Sequence, residues 1–596
     1  MGRFNLLDEP WIAVMPADGG RAETVSLLTL FREAHRYQRL AGEMVTQDFA
    51  VLRLLLAVLT TVFTRFDVDG ESYPFVELDE RDRQTNDVDE DDLEEDEYEE
   101  TMAATWETLW RRGRFPEIVT AYLEKWRDRF DLFDETYPFY QVREEDFERY
   151  GLKKKKDDKE PPDKWKGTEK YGTLFTGSNM NRLISESRNK KALFSPKNDL
   201  EKDVMDSAEL ARWLMMLQGY VGTGDKGKFR KKGSEETWSK GWLYDIGGIC
   251  MAGDNLFETL MMNLVLCHPE EKDVWHRQRP CWEFEIGAFL DKLLRGEQPD
   301  NLAELYTNWA RAIRIDLKTQ ASADIWLDMV KVPEIIHEEQ VLELMTLWKT
   351  PPKKGDQTCS PRKHTPEQAM WRSFGLITLN KASDKQRRPG ILDQYDAIRD
   401  LVGNRIVHLW AVSMRDDGDP RSRAPVDEIV DVLNLNEMVV TDQSEDGWCV
   451  RINEAVAITK KVVEQVYRTY IQEVAAVRKI GREDSKGRLD AIRKAYIESK
   501  KEDMYAEIDR PFRDWLEAIR PEDDKDAQIK IWKESLKRLV SWQARQILES
   551  GSHLDYAGHT IEIKGKKGKD KESRVINIAT AYNRFCAKLN QLIPYS

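Results

Sequence analysis

Cysteine and histidine are scarce in this chain, and neither is arranged in a metal-binding or disulfide-forming pattern. The 596 residues include six cysteines and eight histidines. The cysteines are scattered, and no two of them form a Cys-x-x-Cys pair, so the sequence encodes neither a zinc ribbon nor a disulfide framework. We therefore expect reduced thiols in a cytoplasm, no bound metal and no cofactor.

Long apolar runs are also missing. The longest apolar helix candidate, residues 49–63, is interrupted by Arg53 and is shorter than the roughly 20 residues that span a bilayer. At the amino terminus, no basic flank precedes an apolar run and a small-residue cleavage site. These features predict a cytoplasmic protein without a membrane partner.

The sequence motifs of common catalytic sites are missing as well. The chain has no Gly-x-x-x-x-Gly-Lys-Ser/Thr phosphate loop, no His-Glu-x-x-His and no Gly-x-Ser-x-Gly. His553, Asp555 and His559 are the closest group of metal-ligand types, and ordinary surface polarity is the simpler explanation for them. The sequence therefore predicts that the protein is not an enzyme, with a metal-dependent nuclease as the catalytic alternative.

Acidic charge is concentrated in one segment. The chain carries 108 acidic and 92 basic side chains, a net charge of −16. Residues 77–100 hold 15 acidic side chains against Arg81 and Arg83, a local charge of −13, so the remainder is nearly neutral. A disordered, solvated loop is the simplest interpretation, and mimicry of nucleic acid or a guard against non-specific DNA is the alternative.

Hydrophobic periodicity divides the chain in two. Up to about residue 440, short strands alternate with helices and polar loops, which predicts an irregular mixed α+β domain. Beyond that point four apolar stripes recur at helical spacing, for example from Val456 to Val474, and an antiparallel four-helix bundle accounts for them. The predicted fold class is α+β, with domains at residues 1–440 and 441–596.

Several short segments, in the same order along the chain, match one known family. They are Phe4 to Val14 (FNLLDEPWIAV), Tyr137 to Gln141 (YPFYQ), Leu217 to Tyr220 (LQGY) and Trp371 to Phe374 (WRSF). The chain therefore resembles the CasA family, the large subunit of the type I-E CRISPR Cascade complex. This resemblance implies a large α+β domain followed by a four-helix bundle. It also implies four partners: the other Cascade subunits, the guide CRISPR RNA, double-stranded target DNA and a helicase-nuclease.

The first candidate binding loop combines an aromatic ring, a cation and an amide. It consists of Phe194, Ser195, Pro196, Lys197 and Asn198. Such residues can stack on a base and hold a phosphate, whereas a surface turn with a core phenylalanine is the alternative from composition alone. By order and spacing the loop resembles the family segment that touches the 5′ handle of the guide RNA.

A glycine-rich segment follows, with cations beside it. Glycine lets the backbone approach a groove wall, and the cations can hold phosphates; a flexible linker is the alternative. The resemblance implies a loop against the minor groove of the protospacer-adjacent motif. The candidate contact residues are Gly222, Gly224, Lys226, Gly227 and Lys228.

Two further elements are assigned from the resemblance. Lys331 is the candidate for a lysine that enters the minor groove, and residues 410–419 are the candidate for a hairpin that wedges between the first base pairs. The hairpin tip lacks the glutamine of the family and has the sequence Arg415, Asp416, Asp417, Gly418. Because acidic residues repel phosphate, a tip without wedge chemistry is the alternative.

These features together predict a non-catalytic subunit that recognises a motif in duplex DNA, promotes strand opening for guide pairing and docks a helicase-nuclease. The minor groove has a degenerate pattern of donors and acceptors, so backbone and lysine contacts there would tolerate several motifs. A purely structural scaffold subunit, whose loops touch only protein, is the second alternative.

Overall fold

In the computed structural model the chain combines many helices with small sheets, so the predicted α+β fold class is confirmed. The described residues are 3–88, 97–156, 169–180, 197–198, 201, 203–223, 227–229, 239–267, 277–315, 325–338, 340, 342–349, 359–379, 387–418, 423–481, 489–564 and 571–594.

The chain divides into two compact units. The first unit comprises residues 1–366, 380–403 and 407–432, and the second comprises residues 367–379, 404–406 and 433–596. The boundary between residues 440 and 441 stays a prediction, as does the assignment of motif-reading loops to the amino-terminal part.

The three-stranded sheets lie in the part of the chain up to residue 436. Within the described residues, three sheets have three strands, and in each of them one strand lies between two others. The three-stranded sheets contain Ile12–Pro16 between Glu23–Val25 and Tyr37–Leu40; Trp326–Lys331 between Thr173–Thr176 and Arg311–Ile315; and Ile406–Asp416 between Gly248–Ala252 and Pro425–Asn436. Two-stranded pairs join Lys155–Lys156 with Glu169–Lys170 and Trp348–Lys349 with Ser360–Pro361.

Helices pack around these sheets. The described helices of the first unit are Leu27–Glu33, Val45–Phe63, Glu97–Arg112, Glu117–Lys125, Glu144–Arg149, Gly177–Met180, Ser207–Tyr220, Leu256–Asn263, Ile286–Leu294, Leu302–Tyr306 and Gly390–Val402. Several begin with a side-chain cap, as at Asp206, whose carboxylate accepts a hydrogen bond from the backbone N–H of Glu209.

The helix Val45–Phe63 is the core helix of the first unit. It has 19 residues, so the expectation of a helix too short to span a bilayer is wrong. Among the described residues it is the one helix with the length and apolarity to cross a membrane, but most of it is buried inside the fold. The carboxylate of Glu428 accepts hydrogen bonds from the N–H groups of Val45 and Thr46 at its amino end, where negative charge is favoured.

The acidic segment is partly folded, which corrects the expectation of a disordered loop throughout residues 77–100. The carboxylate of Asp79 accepts backbone N–H bonds from Arg81 and Arg83, and Asp82 forms an ion pair with Lys125 at 2.6 Å. Residues 97–100 form the first turn of the helix Glu97–Arg112, where acidic side chains complement the helix dipole. Residues 89–96 lie outside the described part of the chain.

The second unit contains the predicted helices. The longest described ones are Trp448–Lys461, which continues through a π-helical turn Val462–Tyr467 into Arg468–Val477, then Ala491–Ala518, Lys525–Glu549 and Ile578–Leu592. Shorter elements are the helices Phe374–Thr378, Met438–Thr441 and His553–Ala557, and the strand pair His559–Lys564 and Lys571–Ile576.

Aromatic side chains form the core of the second unit. The ring of Trp532 lies 4.8 Å from that of Phe512, and its indole N–H donates to the hydroxyl of Thr459 at 2.9 Å. Trp371, from one of the family segments, stacks on Phe512 at 4.3 Å. Tyr470 is 1% exposed, as its place in the predicted apolar stripe implies. Tyr470 and Trp532 therefore act as core residues, as the predicted stripes imply.

Candidate nucleic-acid interface

Only part of the predicted interface can be placed. Phe194, Ser195, Pro196, Gly224 and Lys226 lie outside the described residues. The other ten candidates lie within the described residues, and their contacts with nucleic acid stay predictions.

The glycine-rich segment from Gly222 to Lys228, here called the glycine loop, begins just after the helix Ser207–Tyr220 ends. The carbonyl oxygen of Gly222 accepts a hydrogen bond from the buried guanidinium of Arg311 at 2.7 Å, and the carbonyl of Val221 accepts one from the N–H of Gly241 at 2.9 Å. A Cβ atom at Gly222 would collide with the carbonyl oxygen of Arg423. Glycine is therefore required here for close backbone approach and not for an unusual φ.

Lys331 holds both ends of the glycine loop. Its backbone N–H donates to the carbonyl of Gly227 at 3.0 Å, and its ammonium donates to the carbonyl of Thr223 at 3.0 Å. Lys331 also forms a parallel bridge with Lys228 and is only 4% exposed. The fold thus brings Gly222, Gly227 and Lys228 together with Lys331, a residue more than 100 positions further along the chain.

The predicted wedge lies at the turn between the strands Ile406–Asp416 and Pro425–Asn436. The N–H of Asp417 donates to the carbonyl of Ala424 at 3.0 Å, which joins the two sides of the turn. The N–H of Gly418 donates to the Asp416 carboxylate at 3.0 Å, and Gly418 has a φ of +74° that favours glycine. Arg415 is exposed.

A charged cluster lies against this turn, and the sequence analysis missed it. The carboxylate of Asp245 forms ion pairs with Lys240, with Lys363 at 3.8 Å and with Arg423 at 4.0 Å, and it lies 3.3 Å from the imidazole Nε2 of His337. Burial opposes the charge of Asp245, but the neighbouring His337, Lys240 and Lys363 outweigh burial and hold the pKa of its carboxyl well below the ordinary value.

Lys363 links this cluster to the predicted wedge. Its ammonium lies 3.7 Å from the Asp416 carboxylate and 3.9 Å from the centre of the Tyr244 ring. Burial lowers the pKa of Lys363, while Asp245 and Asp416 act in the opposite direction. Lys363 thereby offsets the acidic charge at Asp416, which the sequence analysis treated as an obstacle to contact with phosphate.

The remaining loop candidates lie elsewhere. Lys197 forms an ion pair with Glu209 at 2.7 Å, and the amide of Asn198 donates to the Glu201 carboxylate at 2.8 Å. Glu209 belongs to the first turn of the helix Ser207–Tyr220, and Gly222 follows its last turn. A helix of 14 residues rises about 21 Å, so the fold separates Lys197 and Asn198 from the glycine loop.

No group of three or more His, Cys, Asp or Glu side chains in the described part of the chain is arranged to hold a metal ion. In the suggested cluster around His553, the Asp555 carboxylate accepts the N–H of Ser552 and a hydrogen bond from Arg478 at 3.1 Å. Asp555 thus caps a short helix and pairs with a cation, which is a structural role.

The sequence model for CRISPR-associated protein Cse1 matches residues 5–542. The chain belongs to the Cse1 family. The resemblance to CasA is confirmed, since a curated relative from Thermus thermophilus is named CRISPR-associated protein CasA/Cse1 and is 27% identical over 285 residues. That match covers 47% of this chain and 42% of the relative, so the alignment spans less than half the relative's length.

Solved Cse1 structures have the same fold. The crystal structure of Thermobifida fusca Cse1 has a TM-score of 0.71 and 22% identity, with 99% of this chain and 98% of that chain covered. Thermus thermophilus CasA (Cse1) has a TM-score of 0.64 at 19% identity, covering 99% of this chain and all of that chain. A chain of a structure named CRISPR RNA-guided surveillance complex has a TM-score of 0.64 at 16% identity, with the same coverage.

Gly222→Ala is expected to destabilise the first unit by about 1–3 kcal/mol, because the added methyl group must displace the Arg423 backbone. Urea denaturation followed by fluorescence measures the loss. Gly287→Ala, in the helix Ile286–Leu294, is the control. A Cβ atom at Gly287 meets chiefly the flexible end of the Arg149 side chain, which can move aside. Equal stabilities of the two variants would contradict the close approach at Gly222.

Proposed function

We propose that the chain is the non-catalytic large subunit of a type I-E CRISPR Cascade complex and that it reads a protospacer-adjacent motif in duplex DNA. One observation carries the proposal. The glycine loop, Lys331 and the turn of the hairpin, all assigned to motif reading, lie together in the first unit, with Gly222 against Arg423 and Lys331 against Thr223 and Gly227. The solved surveillance complex of similar fold supports membership of such an assembly.

In this proposal the glycine loop and Lys331 contact the minor groove and the hairpin tip then separates the first base pairs. Backbone groups and one cation can read the degenerate minor-groove pattern, which tolerates several motif sequences. Inserting a wedge costs a few kcal/mol of lost stacking, and the motif contacts offset that cost so that guide pairing can begin beside the motif. Arg415 is the exposed cation at the tip.

The proposed partners are the other Cascade subunits, the 5′ handle of the guide CRISPR RNA, double-stranded target DNA and a helicase-nuclease, in the cytoplasm. Phe194 to Asn198 is the segment proposed to touch the guide RNA. The proposed boundary between the motif-reading part and the helical part is at residues 440 and 441.

The scaffold alternative is favoured by one observation. Lys331 is 4% exposed, and its ammonium already donates to the Thr223 carbonyl, so the side chain supports the loop from within. In a scaffold, the loops would contact only protein, and DNA binding would be independent of the motif.

The deciding experiment is duplex binding by a guide-loaded Cascade that lacks this chain, with and without the chain added. Each base pair that a protein reads contributes about 1–3 kcal/mol, so we expect addition to tighten binding of motif-bearing duplexes by roughly tenfold or more over scrambled ones. If the chain assembles but changes neither affinity, the scaffold alternative is correct. Magnesium-dependent cleavage by the chain alone, lost on Asp555→Asn, would instead favour a nuclease.

A further inference from the structure

We propose that Tyr244, Asp245 and Lys363, here called the platform, are positioning residues that hold the neck of the hairpin. The neck consists of Asp416 and Asp417, which belong to the tip segment Arg415 to Gly418, together with Arg423 and Ala424 on the returning side of the turn. The consequence for DNA opening rests on the proposed function above, whereas the mechanical role of the platform is a property of the chain alone.

The platform contacts both sides of the neck. On one side, the ammonium of Lys363 lies 3.7 Å from the carboxylate of Asp416, the last residue of its strand. On the other side, the hydroxyl of Tyr244 donates a hydrogen bond to the carbonyl oxygen of Arg423. Because Lys363 also packs 3.9 Å from the centre of the Tyr244 ring, the two anchors form one unit.

Asp245 is the counter-ion that keeps this unit together. Its side chain is only 16% exposed, and Lys240, Lys363 and Arg423 all surround it. Without that carboxylate, several cations would face one another in a poorly solvated place and would repel. Replacing Asp245 by an uncharged residue should therefore release Lys363 from the neck.

The same short segment also connects the neck to the glycine loop. Gly241 donates its N–H to the carbonyl of Val221 at the start of that loop, and the platform residues Tyr244 and Asp245 follow within four positions. Glu428 anchors the hairpin farther from the tip, through the helix Val45–Phe63, and so leaves the neck to the platform. We infer that the platform sets where the tip stands relative to the groove-reading loop.

The first test uses hydrogen exchange on the full chain. In Asp245→Asn, exchange in peptides that contain Asp417 should speed up by roughly tenfold, since local opening of the neck becomes easier. Asp245→Glu keeps the charge and should recover most of the protection. Tyr244→Phe removes a single hydroxyl, leaves the ring beside Lys363, and should give a smaller change in the same peptides.

The matched control is Asp291→Asn. Like Asp245, Asp291 pairs with an arginine, here Arg149; it accepts in addition the hydroxyl of Tyr150, and neither partner belongs to the hairpin. Faster exchange at the neck in the Asp245 and Tyr244 variants, but not in this control, supports the platform. Unchanged exchange at the neck, or an equal change in the control, overturns it.

The second test separates the platform from the proposed function. Strand opening by the guide-loaded complex is followed with a fluorescent base analogue beside the motif, and initial capture is measured separately. Asp245→Asn and Tyr244→Phe should slow opening several-fold and leave capture unchanged, whereas the tip variant Arg415→Ala should slow opening more than it weakens capture. If only Arg415→Ala slows opening, the positioning role falls and the wedge stands. If none does, the wedge role falls, and hydrogen exchange still decides whether the platform holds the neck.

Discussion

Arg53→Met is expected to destabilise the first unit by about 3–5 kcal/mol, the cost of breaking one side of a buried ion pair. Arg53 and Glu343 are joined by two hydrogen bonds of 2.9 and 2.8 Å, and their side chains are 2% and 0% exposed. Burial opposes the charge on Arg53, but Glu343 outweighs it and raises the pKa of the guanidinium. Removing Arg53 therefore leaves a buried carboxylate without its counter-ion.

Calorimetry of the full chain measures the loss as a lower Tm. The double variant Arg53→Met/Glu343→Met should regain much of the stability, because replacing a whole buried pair with apolar groups is far less costly than breaking it. Arg36→Met is the matched control, since the Arg36–Glu33 pair is 66% and 40% exposed and contributes at most about 1 kcal/mol. Equal effects of Arg53→Met and Arg36→Met would contradict the structural role of the buried pair.

Lys331→Met is expected to weaken binding of motif-bearing duplexes by roughly 10- to 100-fold within the guide-loaded complex, with a much smaller effect on scrambled duplexes. A hydrogen bond from a charged group contributes about 1.5–3 kcal/mol, and the lost one fixes Thr223 at the entrance of the glycine loop. The substitution removes both the order of the loop and the cation proposed to enter the groove. Equilibrium binding on the two duplexes measures the difference.

Lys228→Met is the control for this second prediction. Lys228 is exposed and forms a backbone bridge with Lys331, so its side chain can be removed without disturbing that bridge. As a phosphate contact it should weaken both duplexes about equally and lower the slope of the salt dependence by about 1. If Lys331→Met also weakens both duplexes equally, its assignment to motif reading is wrong.

The helical part of the fold was accessible from the sequence because its pattern is local. Apolar residues at helical spacing, such as Tyr470 and Trp532, mark the side of each helix that must be buried, and both are buried. The core helix was also visible, although its start was placed four residues late, because Val45 and Thr46 are capped by Glu428, a residue nearly 400 positions away. The acidic segment was misjudged for a similar reason, since Asp82, in a turn, pairs with Lys125 at the end of the helix Glu117–Lys125.

The candidate interface was accessible only in pieces. Resemblance pointed to the glycine loop, Lys331 and the hairpin as separate segments, and nothing in their spacing indicated that Lys331 would bond to Thr223 or that Gly222 would touch Arg423. The platform had no sequence signal, because Tyr244, Lys363 and Asp416 are common residue types in ordinary local contexts. The contacts of the glycine loop, Lys331 and the hairpin with nucleic acid stay predictions.

By itself, the sequence determined the fold class, the apolar faces of the helices and membership of the Cse1 family, because periodicity and short motifs are local properties of the chain. Only the tertiary structure decided which charges meet. Ion pairs such as Arg53–Glu343 and Lys363–Asp416 join residues that are far apart in sequence, and their energies depend on burial and distance, which exist only after the chain has folded.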